Sequence, residues 1–265
     1  FLLNIPIRMQ RKNRLIVEIG EGSFNSKKGG GKMTIERLRE WLLSSNNTVI
    51  LTGAGMSTES GVPDFRSASG WWKQMDPRTV ATTEALTDHY SLFHEFYKTR
   101  IENLEKVAPH EGHHILADWE RRGLVSLIAT QNVDGFHQLA GSQSVEELHG
   151  SIRSIRCHRC QQAAVMASFL NKASCAHCGG KLRPNVVLFG ESLPQASWHC
   201  SMEAIKTAEL VLVIGTSLEV YPVNQLPMMT TGKTVYINMD ISQQTTPFDL
   251  TVRGKIKEVL QKLQI

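Results

Sequence analysis

The sequence lacks the features that mark membrane and secreted proteins. No stretch of its 265 residues reaches the ~18 to 20 consecutive apolar residues that a transmembrane helix needs. The opening segment FLLNIPI is short and has no basic region before it, so a signal peptide is not expected. Only five cysteines are present, which in a chain without a secretory signal indicates a reducing compartment. We therefore expect a cytoplasmic protein that does not associate with membranes.

The sequence also lacks an excess of basic residues outside its first 32 positions. The net charge is +4, but residues 1–32 carry seven basic and two acidic residues, so the remainder is slightly acidic. We therefore expect no direct nucleic-acid partner. The run KKGGGK stands directly before Met33, and a translated ribosome-binding stretch would give such a run. Residues 1–32 are thus predicted to be a disordered or non-native extension ahead of a start at Met33. A native flexible tail is the alternative.

From residue 33 onward, apolar runs alternate with amphipathic stretches, which is typical of an α/β fold with a parallel sheet flanked by helices. TVILT at 48–52 is a continuous apolar run, as expected of a buried parallel strand. The pattern predicts a Rossmann-like domain built from residues 33–69, 108–150 and 185–265. A helical segment at 70–107 and a small inserted module at 151–184 interrupt it.

The inserted module contains two C-x-x-C pairs, Cys157 with Cys160 and Cys175 with Cys178, separated by fourteen residues. Each pair can place two thiolates on one metal ion, so the pattern predicts one tetrahedral zinc site. Four cysteine ligands leave no open coordination position, which makes the zinc structural. A zinc-ribbon binding module for nucleic acid is the alternative of a different class, but the module shows no interleaving of aromatic and basic residues.

The loop GAGMSTESG at 53–61 follows the first buried strand and lacks two familiar patterns. It has no lysine of a P-loop and no third glycine of the G-x-G-x-x-G fingerprint, so an ordinary dehydrogenase is not favoured. Ligands of open α/β sheets bind beyond the carboxyl ends of the strands. Those ends carry this loop, QNVDGFH, GTS and NMD, which together favour a dinucleotide. Asn238 and Asp240 suit ribose hydroxyls.

Several polar residues after the strands have the chemistry of a catalytic site. Gln131, Asn132 and Asp134 follow a buried strand directly, where unpaired polar groups are costly unless they bind something. His149 is a candidate general base, because imidazole titrates near neutral pH. Arg66 is a cation suited to a phosphate or carboxylate.

These motifs, in this order, resemble the sirtuin family of NAD-consuming protein-lysine deacylases, most of all its bacterial members. The resemblance covers the chain from about Val49 to its end and includes GAGMSTESGVPDFRS, TQNVDGFH, ELHG, both cysteine pairs, RPNVVLFGE, GTSLEVYP and INMD. It implies that NAD is a consumed co-substrate and that one structural zinc ion is present.

The resemblance also implies a role for each matching residue. The expected NAD-binding residues around the glycine loop are Gly53, Ala54, Gly55, Thr58, Phe65 and Arg66. The expected nicotinamide pocket contains Gln131, Val133 and Asp134 with Asn132 beside them, and His149 is the expected general base. The adenosine half is expected at Gly215, Thr216, Ser217, Asn238, Asp240 and Ile256. The acyl-lysine tunnel is expected at Val187, Phe189, Gly190 and Val220, which pair with the substrate as an added strand.

The implied reaction transfers the acyl group of lysine to ADP-ribose and releases nicotinamide. Acyl-lysine proteins are then the substrates, and a monomer is expected. Mono-ADP-ribosyl transfer at the same NAD site is the alternative activity.

The segment SLFHEFYKTRIENL places Tyr97 and Arg100 on one helical face among apolar residues. Sirtuins that prefer succinyl- and malonyl-lysine have such a Y-x-x-R pair and an alanine sixteen residues before the tyrosine, which Ala81 matches. This resemblance implies possible removal of succinyl or malonyl groups. The alternative is that Arg100 reaches solvent or pairs with a structural Asp or Glu, and bacterial sirtuins with PDFRS favour deacetylation.

Overall fold

The computed structural model describes residues 15–18, 30–63, 77–241, 247–263 and 265. Their strands are β1 Leu15–Glu18, β2 Thr48–Thr52, β3 Leu127–Thr130, β4 Val145–Glu147, β5 Gly150–Cys157, β6 Ala163–Ala164, β7 Leu182–Val186, β8 Leu210–Ile214, β9 Lys233–Asn238 and β10 Leu250–Arg253. Their helices are α1 Gly30–Ser44, α2 Gly55–Thr58, α3 Pro77–Val80, α4 Thr83–Asp88, α5 Tyr90–Leu104, α6 Glu111–Arg121, α7 Phe136–Leu139, α8 Met166–Leu170, α9 Gln195–Thr207 and α10 Ile256–Lys262, with a 3-10 helix at Val223–Met228.

Seven strands form one parallel sheet in the order β1-β10-β9-β8-β2-β3-β4. Its central strands are buried on both faces, which explains their continuous apolar sequences. Ile50 of β2 faces a core that includes residues of α1, α6 and α10. Val49 and Leu51 face the opposite core, which includes residues of α9 and the 3-10 helix. The predicted Rossmann-like fold is confirmed.

A second core joins the helical segment to the cysteine-bearing module. In it, Phe93 and Tyr97 of α5 pack with Ile155 of β5, Phe169 of α8 and Leu182 of β7. Strands β6, β5 and β7 make a separate antiparallel sheet in that order. The small sheet therefore packs against α4 and α5 as well as against the main domain. These apolar contacts set its position.

The amino-terminal segment differs in part from its predicted disorder. Leu15–Glu18 pairs with β10 as an edge strand, and α1 begins at Gly30 instead of after Met33. Without this segment β10 would be an open edge strand with unpaired backbone groups, and LIVE, three apolar residues and Glu18, pairs with them. These described residues thus have secondary structure, and a start of the native protein at Met33 stays a prediction. Among the helices of the described residues, none is long and apolar enough to cross a membrane.

Candidate functional site

Three glycines bring the carboxyl ends of β2 and β8 into backbone contact. Gly55 N–H donates to the carbonyl of Gly215 at 2.8 Å, and Gly53 N–H donates to the carbonyl of Ile214 at 3.1 Å. A Cβ on Gly215 would lie 2.4 Å from the backbone nitrogen of Met56, and Gly215 has a φ of +65°. Only glycine fits there, because any side chain would separate the two loops.

Three other predicted NAD-binding residues lie near this contact, Ala54 and Thr58 of the glycine loop and Ile256. Ala54 precedes α2, and the hydroxyl of Thr58 donates to the carbonyl of Gly55 at 2.9 Å. Ile256 begins α10 and is buried against Gly215. Phe65 and Arg66 lie outside the described residues.

Behind the glycine loop, Ser57 links it to the loop that follows β3. The Ser57 hydroxyl donates to Asp134 Oδ2 at 2.7 Å and accepts from Asn132 Nδ2 at 3.2 Å. Burial raises the pKa of Asp134, and hydrogen bonds from Phe136 N–H and Ser57 oppose that rise. Our sequence reasoning missed Ser57, although it lies inside GAGMSTESG between the predicted residues Gly55 and Thr58, because its partners Asn132 and Asp134 are far away in the sequence.

Gln131 joins the end of β3 to the end of β8. Its Nε2 donates to Thr216 Oγ1 at 2.9 Å. The carbonyl of Thr216 accepts from the Tyr236 hydroxyl at 2.8 Å and from Asn238 Nδ2 at 3.2 Å. The polar ends of β3, β8 and β9 therefore form one connected hydrogen-bond network. Two further predicted residues lie beside it and are exposed, Ser217 and Asp240.

His149 lies between β4 and β5, at the edge of this network. Its Nδ1 is 3.1 Å from the carbonyl oxygen of Gln131. A carbonyl can only accept, so Nδ1 carries the proton and Nε2 is left as an acceptor. Burial lowers the pKa of His149, and the hydrogen bond to Gln131 partly offsets this. The neutral imidazole can therefore accept a proton at Nε2.

The loop after β7 is tied to both sides of the site. Val187 N–H donates to the carbonyl of His149, and Phe189 N–H donates to the carbonyl of Ala81, each at 2.9 Å. Phe189 is 49% exposed and Val220 is 41% exposed, which is unusual for large apolar side chains. Gly190, with a φ of +91°, turns the chain after Phe189. These contacts join Val187 to His149 and Phe189 to Ala81, so the loop of the predicted tunnel residues runs between these two segments.

A partly buried ion pair between Arg183 and Glu191 anchors this loop, and the sequence reasoning did not find it. The fully buried Arg183 donates to both carboxylate oxygens of Glu191, at 2.6 and 2.9 Å. Burial alone would raise the pKa of Glu191, but hydrogen bonds from Arg183 and Leu188 N–H outweigh it and lower that pKa. Both residues belong to the motif RPNVVLFGE, so their presence in one motif could have indicated that they form a pair.

Tyr97 and Arg100 lie side by side on α5, as their spacing predicts. The Arg100 guanidinium carbon is 5.8 Å from the centre of the Tyr97 ring. Burial raises the pKa of Tyr97 to about 12. Burial lowers the pKa of Arg100, while Tyr97 and Asp134 act in the opposite direction. Arg100 also lines a small cavity of about 50 Å³ together with Val133 and Asp134. Arg100 therefore borders the loop predicted to hold nicotinamide.

The four cysteines of the two C-x-x-C pairs converge. Their sulfur atoms all lie within 4.8 Å of one another, with Cys157 and Cys178 at 3.4 Å and Cys160 and Cys175 at 3.7 Å. Tetrahedral zinc with Zn–S bonds of about 2.3 Å separates its sulfurs by about 3.8 Å. A Cβ on Gly180 would lie 2.9 Å from Cys157 Sγ, so this position keeps space free beside the sulfurs. The donor set fits one structural zinc ion.

Comparison with known proteins assigns this arrangement to a family. The model of the Sir2 family matches residues 53–222, which is more than half of the chain. The chain belongs to the Sir2 family. This sirtuin is 48% identical over 231 residues to NAD-dependent protein deacetylase 1 of Geobacillus kaustophilus, covering 85% of this chain and 96% of that protein. It is 41% identical over 227 residues to NAD-dependent protein deacylase 2 of Pyrobaculum aerophilum, covering 84% and 91%.

Solved structures of Sir2 proteins have the same fold. The sirtuin aligns with a Sir2 homolog–NAD complex at a TM-score of 0.79 and 36% identity, covering 86% of this chain and 91% of that one. It aligns with a complex of Sir2, a p53 peptide and NAD+ at a TM-score of 0.79 and 34% identity, covering 86% and 96%. The resemblance inferred from the motifs is therefore confirmed.

Proposed function

We propose that this sirtuin is an NAD-dependent protein-lysine deacylase that transfers the acyl group of lysine to ADP-ribose. Its relatives are NAD-dependent protein deacetylases and deacylases. The observation that carries the proposal is the position of His149. Its half-buried imidazole is hydrogen-bonded through Nδ1 to the loop after β3, which leaves Nε2 as an acceptor, and its main chain bonds to the loop after β7. NAD, when bound, supplies the ADP-ribosyl acceptor and the nicotinamide leaving group.

Each part of the site has a separate task in this proposal. The glycine loop lets the ends of β2 and β8 lie close together, and the diphosphate of NAD binds beside this contact. Asn132 and Asp134, held by Ser57, orient the nicotinamide amide. His149 Nε2 removes a proton from a ribose hydroxyl. The zinc has no open coordination position, so it stabilises the small sheet and takes no part in the reaction.

Replacing His149 by Ala tests this assignment. We expect turnover of an acetyl-lysine peptide to fall by about 10²- to 10⁴-fold, the usual contribution of a general base. The affinity for NAD, measured by calorimetry, should change little, because His149 acts on the reacting hydroxyl. His114→Ala is the matched control, since His114 is exposed on α6. Full activity of the His149 variant would refute the assignment.

We further propose that the enzyme removes succinyl or malonyl groups alongside acetyl groups. Tyr97 and Arg100 support this, because a guanidinium that lines a cavity and lies beside the Tyr97 ring is suited to an acyl carboxylate. Arg100→Met should reduce kcat/KM for a succinyl peptide by about thirtyfold, equivalent to roughly 2 kcal/mol. Activity on the acetyl peptide should fall much less. Lys98→Met on the same helix is the control, and an equal loss on both peptides would contradict the idea.

Acyl-lysine proteins are the proposed substrates. A cytoplasmic location and a monomeric state belong to the same proposal. The location is supported by the cysteines of the described residues, none of which forms a disulfide bond.

A further inference from the structure

The charge of this sirtuin is divided unevenly between its parts. Residues 151–184, the zinc module, contain six basic residues and no Asp or Glu. All other residues from 33 onward contain 16 basic and 23 acidic residues. Four thiolates and one Zn²⁺ together add two negative charges, so the loaded module still carries a net charge of about +4. A positive module on an acidic body attracts an acidic partner to one side of the molecule.

A groove lies where this module meets the loop after β7. It has a volume of about 410 Å³, and its walls include Gly150, Arg156, Asn185, Val187, Glu191 and Ser192. Arg156 and Glu191 are the charged residues of its described walls. Both oxygens of Glu191 already accept hydrogen bonds from Arg183. The charge of Glu191 is thus balanced from within the protein, which leaves Arg156 to set the charge of the groove.

Arg156 is held in place by neutral partners. Its Nε donates to Asn185 Oδ1 at 2.8 Å, and NH1 donates to Gln161 Oε1. These two amides use two of the five N–H donors of the guanidinium and neutralise none of its charge. The side chain is therefore fixed in orientation. Glu191 also attracts it electrostatically, but both oxygens of that carboxylate are hydrogen-bonded to Arg183, so the two arginines together exceed the one acidic charge. Such a fixed guanidinium is suited to a carboxylate, which it can bind through two parallel hydrogen bonds.

The groove adjoins the residues that we assign to acyl-lysine binding. Gly150 directly follows His149, and Val187 donates its N–H to the carbonyl of His149. A substrate strand lying along the loop after β7 would pass this groove within a few residues of the acyl-lysine. Successive residues of a strand advance by about 3.3 Å and alternate in direction, so only certain flanking side chains can enter.

We propose that this groove binds an acidic side chain of the substrate protein, close in sequence to the acyl-lysine, through Arg156. The inference rests on the proposed deacylase function and names the class of protein segment that the enzyme prefers. A peptide fits the groove better than a nucleic acid does. The zinc module has one aromatic residue, Phe169, which is fully buried, so it offers no surface on which bases could stack.

The test measures initial rates on a panel of acetyl-lysine peptides with alanine flanks. One position at a time, on either side of the lysine, is changed to Glu or to Lys. We expect Glu at one or two positions to lower the peptide KM by about tenfold, as one charge-assisted hydrogen bond would. The kcat and the KM for NAD should stay unchanged. Arg156→Gln should abolish the preference, and Arg156→Glu should reverse it in favour of Lys.

Lys172→Gln is the matched control, because Lys172 belongs to the same module but bonds to Ser91 outside the groove. This variant should keep the preference for Glu. Zinc content and the melting temperature show whether each variant is folded. Equal KM values for all peptides, or a preference that survives Arg156→Gln, would overturn this inference and leave the proposed deacylase function intact.

Two other outcomes would also overturn it. Lack of activity on every peptide, including the alanine peptide, would overturn the proposed function and this inference with it. Binding of a polyuridine oligonucleotide that is lost in Arg156→Gln, with unchanged peptide KM values, would make the groove a nucleic-acid site.

Discussion

At the scale of single residues, the protonation of His149 follows from its surroundings. The Gln131 carbonyl holds a proton on Nδ1, and partial burial makes the doubly protonated imidazolium less favourable. Both effects are local, yet Gln131 is eighteen residues away in sequence. The tautomer that a general base needs is thus produced by the position of one main-chain carbonyl.

The direction of this pKa shift predicts the pH dependence of activity. A base must be neutral to accept a proton, and a lowered pKa keeps His149 neutral to lower pH. The acidic limb of the kcat/KM profile should therefore have its midpoint below about 6.5, the ordinary pKa of histidine. Steady-state rates between about pH 5 and 8 measure it. A midpoint above 6.5 would contradict the burial argument.

At the scale of elements, the Arg183–Glu191 pair holds the loop between β7 and α9. Glu191→Gln would leave the Arg183 charge buried without a carboxylate, which costs about 3 kcal/mol of unfolding free energy. We also expect a higher peptide KM, because the loop that carries Phe189 loses its anchor. Glu203→Gln, which breaks the exposed pair with Lys206, should cost less than about 1 kcal/mol.

Denaturant unfolding compares the two Glu variants directly, with NAD affinity as a further measurement. Since neither residue contacts the glycine loop, NAD affinity should be the same in both. Equal stability of the two variants would show that the buried pair does not anchor the loop.

Strand β5 connects the zinc module to the loop after β3. Ile152 N–H donates to the carbonyl of Val133 at 2.9 Å, and Arg153 Nε donates to the carbonyl of Asp134. The aliphatic part of Arg153 packs on Gly135, where a Cβ would lie 2.8 Å from Arg153 Cδ. The position of the predicted nicotinamide loop therefore depends on an element whose other end, Cys157, is a zinc ligand.

At the scale of the whole molecule, this connection predicts the consequence of zinc removal. Prolonged EDTA treatment should release one zinc per chain and increase hydrogen exchange in β5 and β7. Exchange should also rise in residues 131–135, because β5 no longer holds them, and activity should be lost. The large sheet has its own cores and should stay protected. Protection of 131–135 after complete zinc loss would refute the coupling.

Two cysteine variants separate zinc loss from general thiol chemistry. Cys157→Ser should lose zinc and activity without a chelator. Cys200→Ser should keep both, since Cys200 is exposed on α9 and lies outside the four-cysteine cluster.

The sequence by itself was enough for the family, the zinc ligands and the most regular parts of the sheet. TVILT was predicted with the bounds that β2 has, because a strand buried on both faces needs continuous apolar residues. The pairing of β1 with β10 was not predicted. The short β10, Leu250–Arg253, carries polar residues at an alternating pattern, and its place in the sheet depends on β9.

The cysteine spacing determined the zinc site because the two ligands of each pair are close together in the sequence. The glycine loop predicted a nucleotide for the same reason, since its residues also lie in one short segment. Only the tertiary structure decided the tautomer of His149, the support of Asp134 by Ser57, and the charged groove beside Val187. Each of these joins groups that are far apart in the chain, and hydrogen bonds depend on distances that spacing along a sequence does not specify.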